Sequence, residues 1–339
     1  KNMTKDTSLE SIVESPGNKS VNLMRDIKLS EFTYFKTGGL ARLVIFPTSV
    51  NELKDVLVEL NTNAISYKVI GETSNLLFLD NEIYTCLVSV KNISNLFYDK
   101  SENQIVTECG VLLSDLSRFA LLHGFGGFSG LEGIPGSVGA AVVMNAGAYG
   151  DEISDVLLEV DVLDLAGNVS RLSLEDLKLK YRDSIFRNHY KEKVILRAFF
   201  KCCVENRKDI YKKMSLFHAK RHKYQEWNYP TLGSLFSGSI YRLLAKKNLI
   251  FGLVASTYFL FNYRFKIHRR ESPMERIWLN NLAIKIFKVK YSKQSFSNKD
   301  LNTLINQGQG TDEIVSYINT MKKIIGNNIP IENEIVERF

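Results

Sequence analysis

The reading of the fold turns on one stretch, Gly133-Ile-Pro-Gly-Ser-Val-Gly-Ala-Ala-Val-Val-Met-Asn-Ala-Gly-Ala-Tyr-Gly150. Nine of the chain's 21 glycines fall between Gly124 and Gly150. Small residues allow backbone amides to approach a ligand closely, which a diphosphate with charge spread over many oxygens requires. The apolar run Ala140–Met144 predicts a short buried helix behind that contact. Ordinary glycine-rich surface loops rarely combine Ile-Pro-Gly with Ala-Ala-Val-Val-Met, so a ligand-binding ribbon is the preferred reading. Upstream, Gly71-Glu-Thr-Ser-Asn-Leu-Leu77 follows an apolar strand and forms a possible anion-binding nest. On that motif alone, a plain polar turn is the simpler reading. No G-x-G-x-x-G follows a strand, so a Rossmann dinucleotide site is not indicated.

Outward from these two segments the pattern alternates strand and helix. Strands are expected from Val44 to Pro47, at Tyr67–Ile70, Leu76–Leu79, Cys86–Val90 and Gln104–Glu108. Ser49 caps a helix running to Leu60, with Val50, Leu53, Val56, Leu57 and Leu60 on one face. A second helix is expected at Leu113–His123. Val156–Asp164 and Asn168–Leu172 read as a hairpin about Ala166-Gly167. A strand at Val194–Val204, a charged helix near Asp209–Lys223 and a dipole-matched helix at Thr311–Ile325 follow.

The 339 residues are 45% hydrophobic and 24% charged, a folded composition long enough for two domains. The formal charge of +7 is uneven: residues 241–299 hold 13 Lys and Arg against Glu271 and Glu275. The basic excess belongs to one segment without a nucleic-acid motif, so a nucleic-acid partner is not expected. Within it, Leu249–Phe261 is apolar but only thirteen residues long, short of the roughly 20 needed to span a membrane. A buried element with solvated basic edges is favoured there over a helix lying on an anionic membrane surface. Cys86, Cys109, Cys202 and Cys203 show no C-x-x-C or zinc spacing, so no metal site is expected. Their apolar surroundings point to reduced, buried thiols in the cytoplasm. Residues 1–20 are polar and read as a flexible lead-in rather than a signal peptide.

Three further motifs are, each alone, more economically structural. They are Tyr181-Arg182-Asp183-Ser184-Ile185-Phe186, Thr231-Leu232-Gly233-Ser234-Leu235-Phe236 and Ile331-Glu332-Asn333-Glu334-Ile335. The last is expected to set two carboxylates on one face of a terminal strand.

Taken in order, the motifs resemble the UDP-N-acetylenolpyruvoylglucosamine reductase (UDP-N-acetylmuramate dehydrogenase) family. The likeness runs from Phe32-Thr-Tyr-Phe-Lys-Thr-Gly-Gly39 through GETSNLL (71–77), GIPGSVGAAVVMNAGAYG (133–150), YRDSIF (181–186), GSLF (233–236), Leu304-Ile305-Asn306 and ENEI (332–335). The resemblance implies an α+β chain. Its first part, 21–206, is a two-part FAD-binding domain of the vanillyl-alcohol-oxidase/PCMH type. A smaller α+β substrate domain, 207–339, follows and contains the atypical basic, aromatic segment 240–295.

The resemblance also implies non-covalent FAD, NADPH as reductant, a nucleotide-sugar substrate and the chemistry of a conjugate reduction. Residues implied to contact FAD are Thr33, Gly71, Glu72, Thr73, Ser74, Asn75, Leu76, Ile134, Pro135, Gly136, Ser137, Val138, Gly139, Asn145, Gly147, Ala148 and Arg182. Arg182 aligns with the catalytic arginine, Ser234 with the proton-donating serine and Glu334 with the acid, whose pKa burial would raise. Tyr149 and Arg221 are candidates for substrate contact. The chain departs from the pattern after Ser234, where Phe236-Ser-Gly-Ser239 replaces the usual Phe-Lys-Asn-Pro, and across 240–295. Those departures keep two alternatives open: a related flavoenzyme acting on another nucleotide sugar in surface-polysaccharide synthesis, and a non-catalytic relative of the flavin fold.

Overall fold

The structure is a computed structural model and describes residues 21–264 and 276–339. The proposed lead-in, and the basic residues Lys266, Arg269 and Arg270, lie outside the described residues.

The chain first forms β1 (Asn22–Lys28), β2 (Leu40–Phe46), helix α1 (Val50–Thr62), β3 (Lys68–Ile70), β4 (Leu76–Phe78) and β5 (Ile83–Ser89). Four of these strands make a mixed sheet in the order β1-β2-β5-β3, antiparallel only between β1 and β2. The apolar run Leu43–Phe46 of β2 follows from burial on both faces. Leu43 and Ile45 pack with Leu53, Val56, Leu57 and Leu60 of α1, while Val44 and Phe46 pack on the other side with Phe78, Tyr84 and Leu87. Helix α1 starts where the sequence indicates, with the Ser49 hydroxyl accepting from the Glu52 N–H at 3.2 Å.

A second, antiparallel sheet contains β6 (Leu96–Asp99), β7 (Gln104–Glu108), β8 (Leu157–Leu163), β9 (Val169–Ser173) and β10 (Val194–Lys201), in the order β9-β8-β10-β7-β6. Helix α2 (Leu113–His123) ends at Gly124, whose φ of 74° is the left-handed cap that glycine accepts without strain. The short helix α3 (Val138–Val143) packs Val138, Ala141 and Val142 into the core of this sheet. The two sheets share contacts through Cys109, Leu163 and Leu196, which join the α1 cluster.

Helix α4 (Arg207–Tyr224) packs against α2 before the chain enters a separate core. That core is built from β11 (Thr231–Ser234), α5 (Ile240–Ala245), α6 (Leu249–Phe259), α7 (Ile277–Phe287), β12 (Thr303–Ile305) and α8 (Thr311–Ile325). Phe35 and Leu77 of the first part belong to it, so the two parts share an apolar seam. The last strand, β13 (Glu334–Val336), returns to pair in parallel with β4. Tyr84 Oη then donates to the Val336 carbonyl at 2.9 Å, and the Phe339 ring packs 5.6 Å from Tyr84. The fold is α+β.

Two expectations are corrected. Segment 249–261 is a helix with one flank covered and one exposed, not an element buried all round. Cys86 and Cys109 are buried, and burial pushes both thiols up to about 12. Cys203, by contrast, is exposed and Cys202 only partly covered, because Cys202 lies just past β10 and Cys203 begins a two-residue edge pairing (Cys203–Val204) with Gly126 and Phe125.

Candidate functional site

Five segments distant in sequence meet where the first part abuts the second. The turn at 71–75 and the ribbon at 133–140 are tied by the Ser74 hydroxyl, which donates to the Pro135 carbonyl at 2.8 Å. Gly71 is required by proximity: a Cβ there would lie 2.4 Å from Ser137 Oγ. Gly136 is required by conformation, at φ 140°. Among the described residues, the N–H groups of Glu72, Thr73, Ser74 and Asn75, and of Gly136, Ser137 and Ala140, have no hydrogen-bond acceptor. The Ser137 hydroxyl is buried and equally without a partner. An array of converging, unsatisfied donors beside small residues is what a diphosphate needs, so these loops fit the pyrophosphate of a dinucleotide. They are the residues that would hold FAD.

Not every residue expected at the cofactor is free to touch it through its side chain. The Thr33 hydroxyl donates to the Thr37 carbonyl at 2.8 Å and closes its own turn. The Asn145 amide donates to Glu152 Oε2 at 3.0 Å and the Lys180 carbonyl at 3.1 Å, and accepts from the Ser154 N–H at 3.0 Å. Both side chains shape the loops from within. Thr73, buried at φ 57°, accepts from the Tyr34 N–H at 2.8 Å and fastens the Thr-Gly-Gly turn to the nest.

Arg182 stands at the rim. Its guanidinium donates to the Asn145 carbonyl at 3.1 Å and to the Gly147 carbonyl, so the ribbon itself aims it. Its backbone is left-handed, at φ 53°, as are Thr73, Asn145 (41°) and Tyr149 (58°). Such conformations cost about 1–3 kcal/mol each and gather where geometry serves a ligand. Facing Arg182 is Glu332, with 3.6 Å between Nε and Oε2. Burial raises the Glu332 pKa, against the opposing pull of Arg182, the Ser237 side chain and Arg187.

The terminal segment carrying Glu332 stitches the site together. Its N–H donates to the Leu235 carbonyl at 2.8 Å, and its own carbonyl accepts from Asn75 Nδ2 at 3.0 Å. Asn333 Nδ2 bridges Asn75 Oδ1 and the Leu232 carbonyl, each at 2.9 Å. Ser234, exposed at the end of β11, follows Gly233 at φ 71°; its hydroxyl has no partner among the described residues.

Here the expected burial of Glu334 is corrected. Glu334 is not buried: its side chain is 51% exposed and pairs with Lys68 at 2.5 Å, whereas that of Glu332 is 14% exposed. The two were expected to share one face of a strand. The β4 ladder begins only at Glu334, so Glu332 lies in the preceding bend and turns towards Arg182. Sequence reasoning did not anticipate that Glu332 faces Arg182, or that Lys68, Arg187 and Asn333 make the contacts around it; the ENEI motif placed Glu332 nearby without showing its direction.

Tyr149 and Arg221 do come together. Arg221, buried, donates to the Gly130 carbonyl at 2.9 Å with its guanidinium 5.1 Å from the Tyr149 ring, which stacks on Phe217 at 4.7 Å.

The fold and the donor-lined loops define an FAD-binding domain, and residues 41–173 match the family model described as FAD binding domain. The chain belongs to the UDP-N-acetylenolpyruvoylglucosamine reductase family. It is 38% identical to the reductase of that name from Caldicellulosiruptor bescii over 221 residues, 65% of this chain and 69% of the relative. It is 36% identical to the Listeria monocytogenes reductase over 208 residues, 61% of this chain and 68% of the relative. The crystal structure of UDP-N-acetylenolpyruvylglucosamine reductase from Thermus caldophilus superposes with a TM-score of 0.67, covering 94% of this chain and 99% of that one at 21% identity. That likeness extends the shared fold into the divergent second part.

Proposed function

We propose that the chain reduces the enolpyruvyl group of UDP-N-acetylglucosamine enolpyruvate to UDP-N-acetylmuramate with electrons from NADPH, a cytoplasmic step of peptidoglycan precursor synthesis. The observation that carries this reading is Arg182, aimed by the glycine-rich ribbon and set against a largely covered carboxylate at the seam with the Ser234 strand. Bound FAD supplies hydride transfer from NADPH to the β-carbon of the substrate.

The chain's own residues do the rest. The free N–H groups of 72–75 and 136–140 hold the pyrophosphate. Arg182 receives the substrate carboxylate by paired, charge-assisted hydrogen bonds and stabilises the negative charge that develops on it. Glu332 keeps the guanidinium oriented. The Ser234 hydroxyl, on its glycine elbow, delivers the proton to the α-carbon. Tyr149 and Arg221 offer an aromatic face and a cation to the nucleotide sugar. In this scheme 21–206 is the flavin domain and 207–339 the substrate domain, with α4 and β13 reaching back onto the first.

The test is anaerobic and has two halves. NADPH should bleach the flavin absorbance of the purified protein, and UDP-N-acetylglucosamine enolpyruvate should restore it. Bleaching without recovery overturns the substrate assignment. It would then favour a different nucleotide sugar, a reading motivated by Ser237-Gly-Ser239 after the Ser234 strand and by the helices α5–α7 that occupy the rewritten segment.

A further inference from the structure

Helix α6 and its continuation contain no charged residue from Leu249 through Asn262. A helix apolar on all sides is normally enclosed on all sides. This one is covered along a single flank. Phe251 packs 5.6 Å from Phe287 of α7, and Tyr258 stacks 6.1 Å from Trp278 near the opposite end, so α6 and α7 run antiparallel. Behind them Tyr241 lies 5.5 Å from Phe259. The outer face is open: Leu249 is 90% exposed and Ile250 and Leu253 each 72%, with Leu260 continuing it. At 3.6 residues per turn these four share one side with Ser256 and Thr257. Apolar side chains occupy the solvent side of a helix whose inner side is apolar too.

The surroundings of that face are basic. Lys246 and Lys247, both exposed, immediately precede it, and the antiparallel pairing brings the end of α7 with exposed Lys285, Lys288 and Lys290 to the same end. No Asp or Glu occurs anywhere from Tyr241 to Arg270. A second copy of this chain is a poor occupant. The face is flanked in sequence by Lys246 and Lys247 on one side and by Arg264 and Lys266 on the other. A copy docked with like ends together sets Lys246 and Lys247 against their own counterparts, an arrangement that costs association.

We propose that the outer face of α6 docks on an anionic lipid surface. Leu249, Ile250, Leu253 and Leu260 enter the boundary between headgroups and acyl chains, while the lysines lie at the lipid phosphates. Interfacial helices bind by this pairing of apolar area with attraction to anionic headgroups, and helix length does not limit it. No described helix is long and apolar enough to cross a membrane, so the contact is peripheral.

Flotation of the flavin-loaded full chain with vesicles tests this. Vesicles of equal phosphatidylglycerol and phosphatidylcholine should carry the protein upward, and pure phosphatidylcholine vesicles should carry much less. Binding to the anionic vesicles should fall near 1 M salt, where the Debye length shrinks to about 3 Å. Leu249→Glu/Leu253→Glu should bind at least about tenfold less, since it places charge in the lipid boundary. Its flavin content and far-ultraviolet circular dichroism should match the parent. Lys246→Gln/Lys247→Gln should weaken binding to anionic vesicles alone. The proposal is overturned by failure to float with anionic vesicles, or by equal flotation of the Leu249→Glu/Leu253→Glu variant. It is equally overturned if sedimentation shows a dimer that this variant dissociates, which would assign the face to a second copy.

Discussion

The Arg182 guanidinium and the Glu332 carboxylate face each other at 3.6 Å across the seam between the two parts of the chain, 150 residues apart in sequence. Neither is held by its partner alone. Arg182 is fixed by carbonyls of the glycine-rich ribbon, and Glu332 by backbone bonds to Leu235 and Asn75. The pair therefore reports whether the flavin loops and the Ser234 strand are correctly docked.

Glu332→Gln should slow the recovery of flavin absorbance by substrate about 10- to 100-fold, the usual effect of losing an orienting partner behind a site residue. Bleaching by NADPH should stay close to the parent rate. Glu334→Gln removes only an exposed pair with Lys68 and should change either half-reaction less than about threefold. Stopped-flow traces of both variants decide between the two carboxylates, and a larger effect from Glu334→Gln would reverse the assignment.

The stability of the same variant should depend on pH. Burial raises the Glu332 pKa above its ordinary 4.5, so the folded chain binds that proton more tightly than the unfolded chain. The resulting stabilisation is complete below about pH 4.5 and is lost as pH rises through the folded value. Gln mimics the protonated form without titrating. The melting temperature of Glu332→Gln relative to the parent should therefore be more favourable at pH 7.5 than at pH 4.5. Parallel melting curves for the two proteins across that range would refute the buried-carboxyl assignment.

Ser234→Ala should leave reduction by NADPH intact and slow reoxidation by substrate about 10²- to 10⁴-fold, the range expected for losing a positioned proton donor. Equal losses in both half-reactions would mean that Ser234 supports the fold rather than proton delivery. Its exposed hydroxyl, without an internal partner, predicts that the variant melts within about 0.5 kcal/mol of the parent.

Gly71→Ala places a methyl group 2.4 Å from Ser137 Oγ and should destabilise the protein by about 1–3 kcal/mol. It should also be purified with less bound flavin. Gly71→Ala/Ser137→Gly removes the obstructing hydroxymethyl group and should recover part of the lost stability. Absorbance at the flavin band, normalised to protein, measures the first effect and thermal melting the second. No recovery in the double variant would show that the Gly71 position fails for another reason.

Much of this chain was legible as local pattern. The Ser49 cap, the helices at Leu113–His123 and Thr311–Ile325, and the strand at Gln104–Glu108 follow from capping, periodicity and glycine placement, which act within a few residues. The glycine-rich ribbon was readable because only small residues permit the close approach seen between Gly71 and Ser137, whereas the 71–77 motif alone read more simply as a polar turn. Which of Glu332 and Glu334 faces Arg182 was not readable, since the two are equivalent as a two-residue alternation. Only the point at which β13 joins β4 turns one towards Arg182 and the other towards Lys68. Likewise, the apolar run after Asn248 fixed a helix or strand but not its exposure; packing of α7 along one flank decided which half faces water. Sequence alone determined the small-residue ribbon and most local elements, because those depend on neighbouring residues. Tertiary structure decided which distant side chains meet, because strand register and the docking of one core on another are set by contacts across the whole chain.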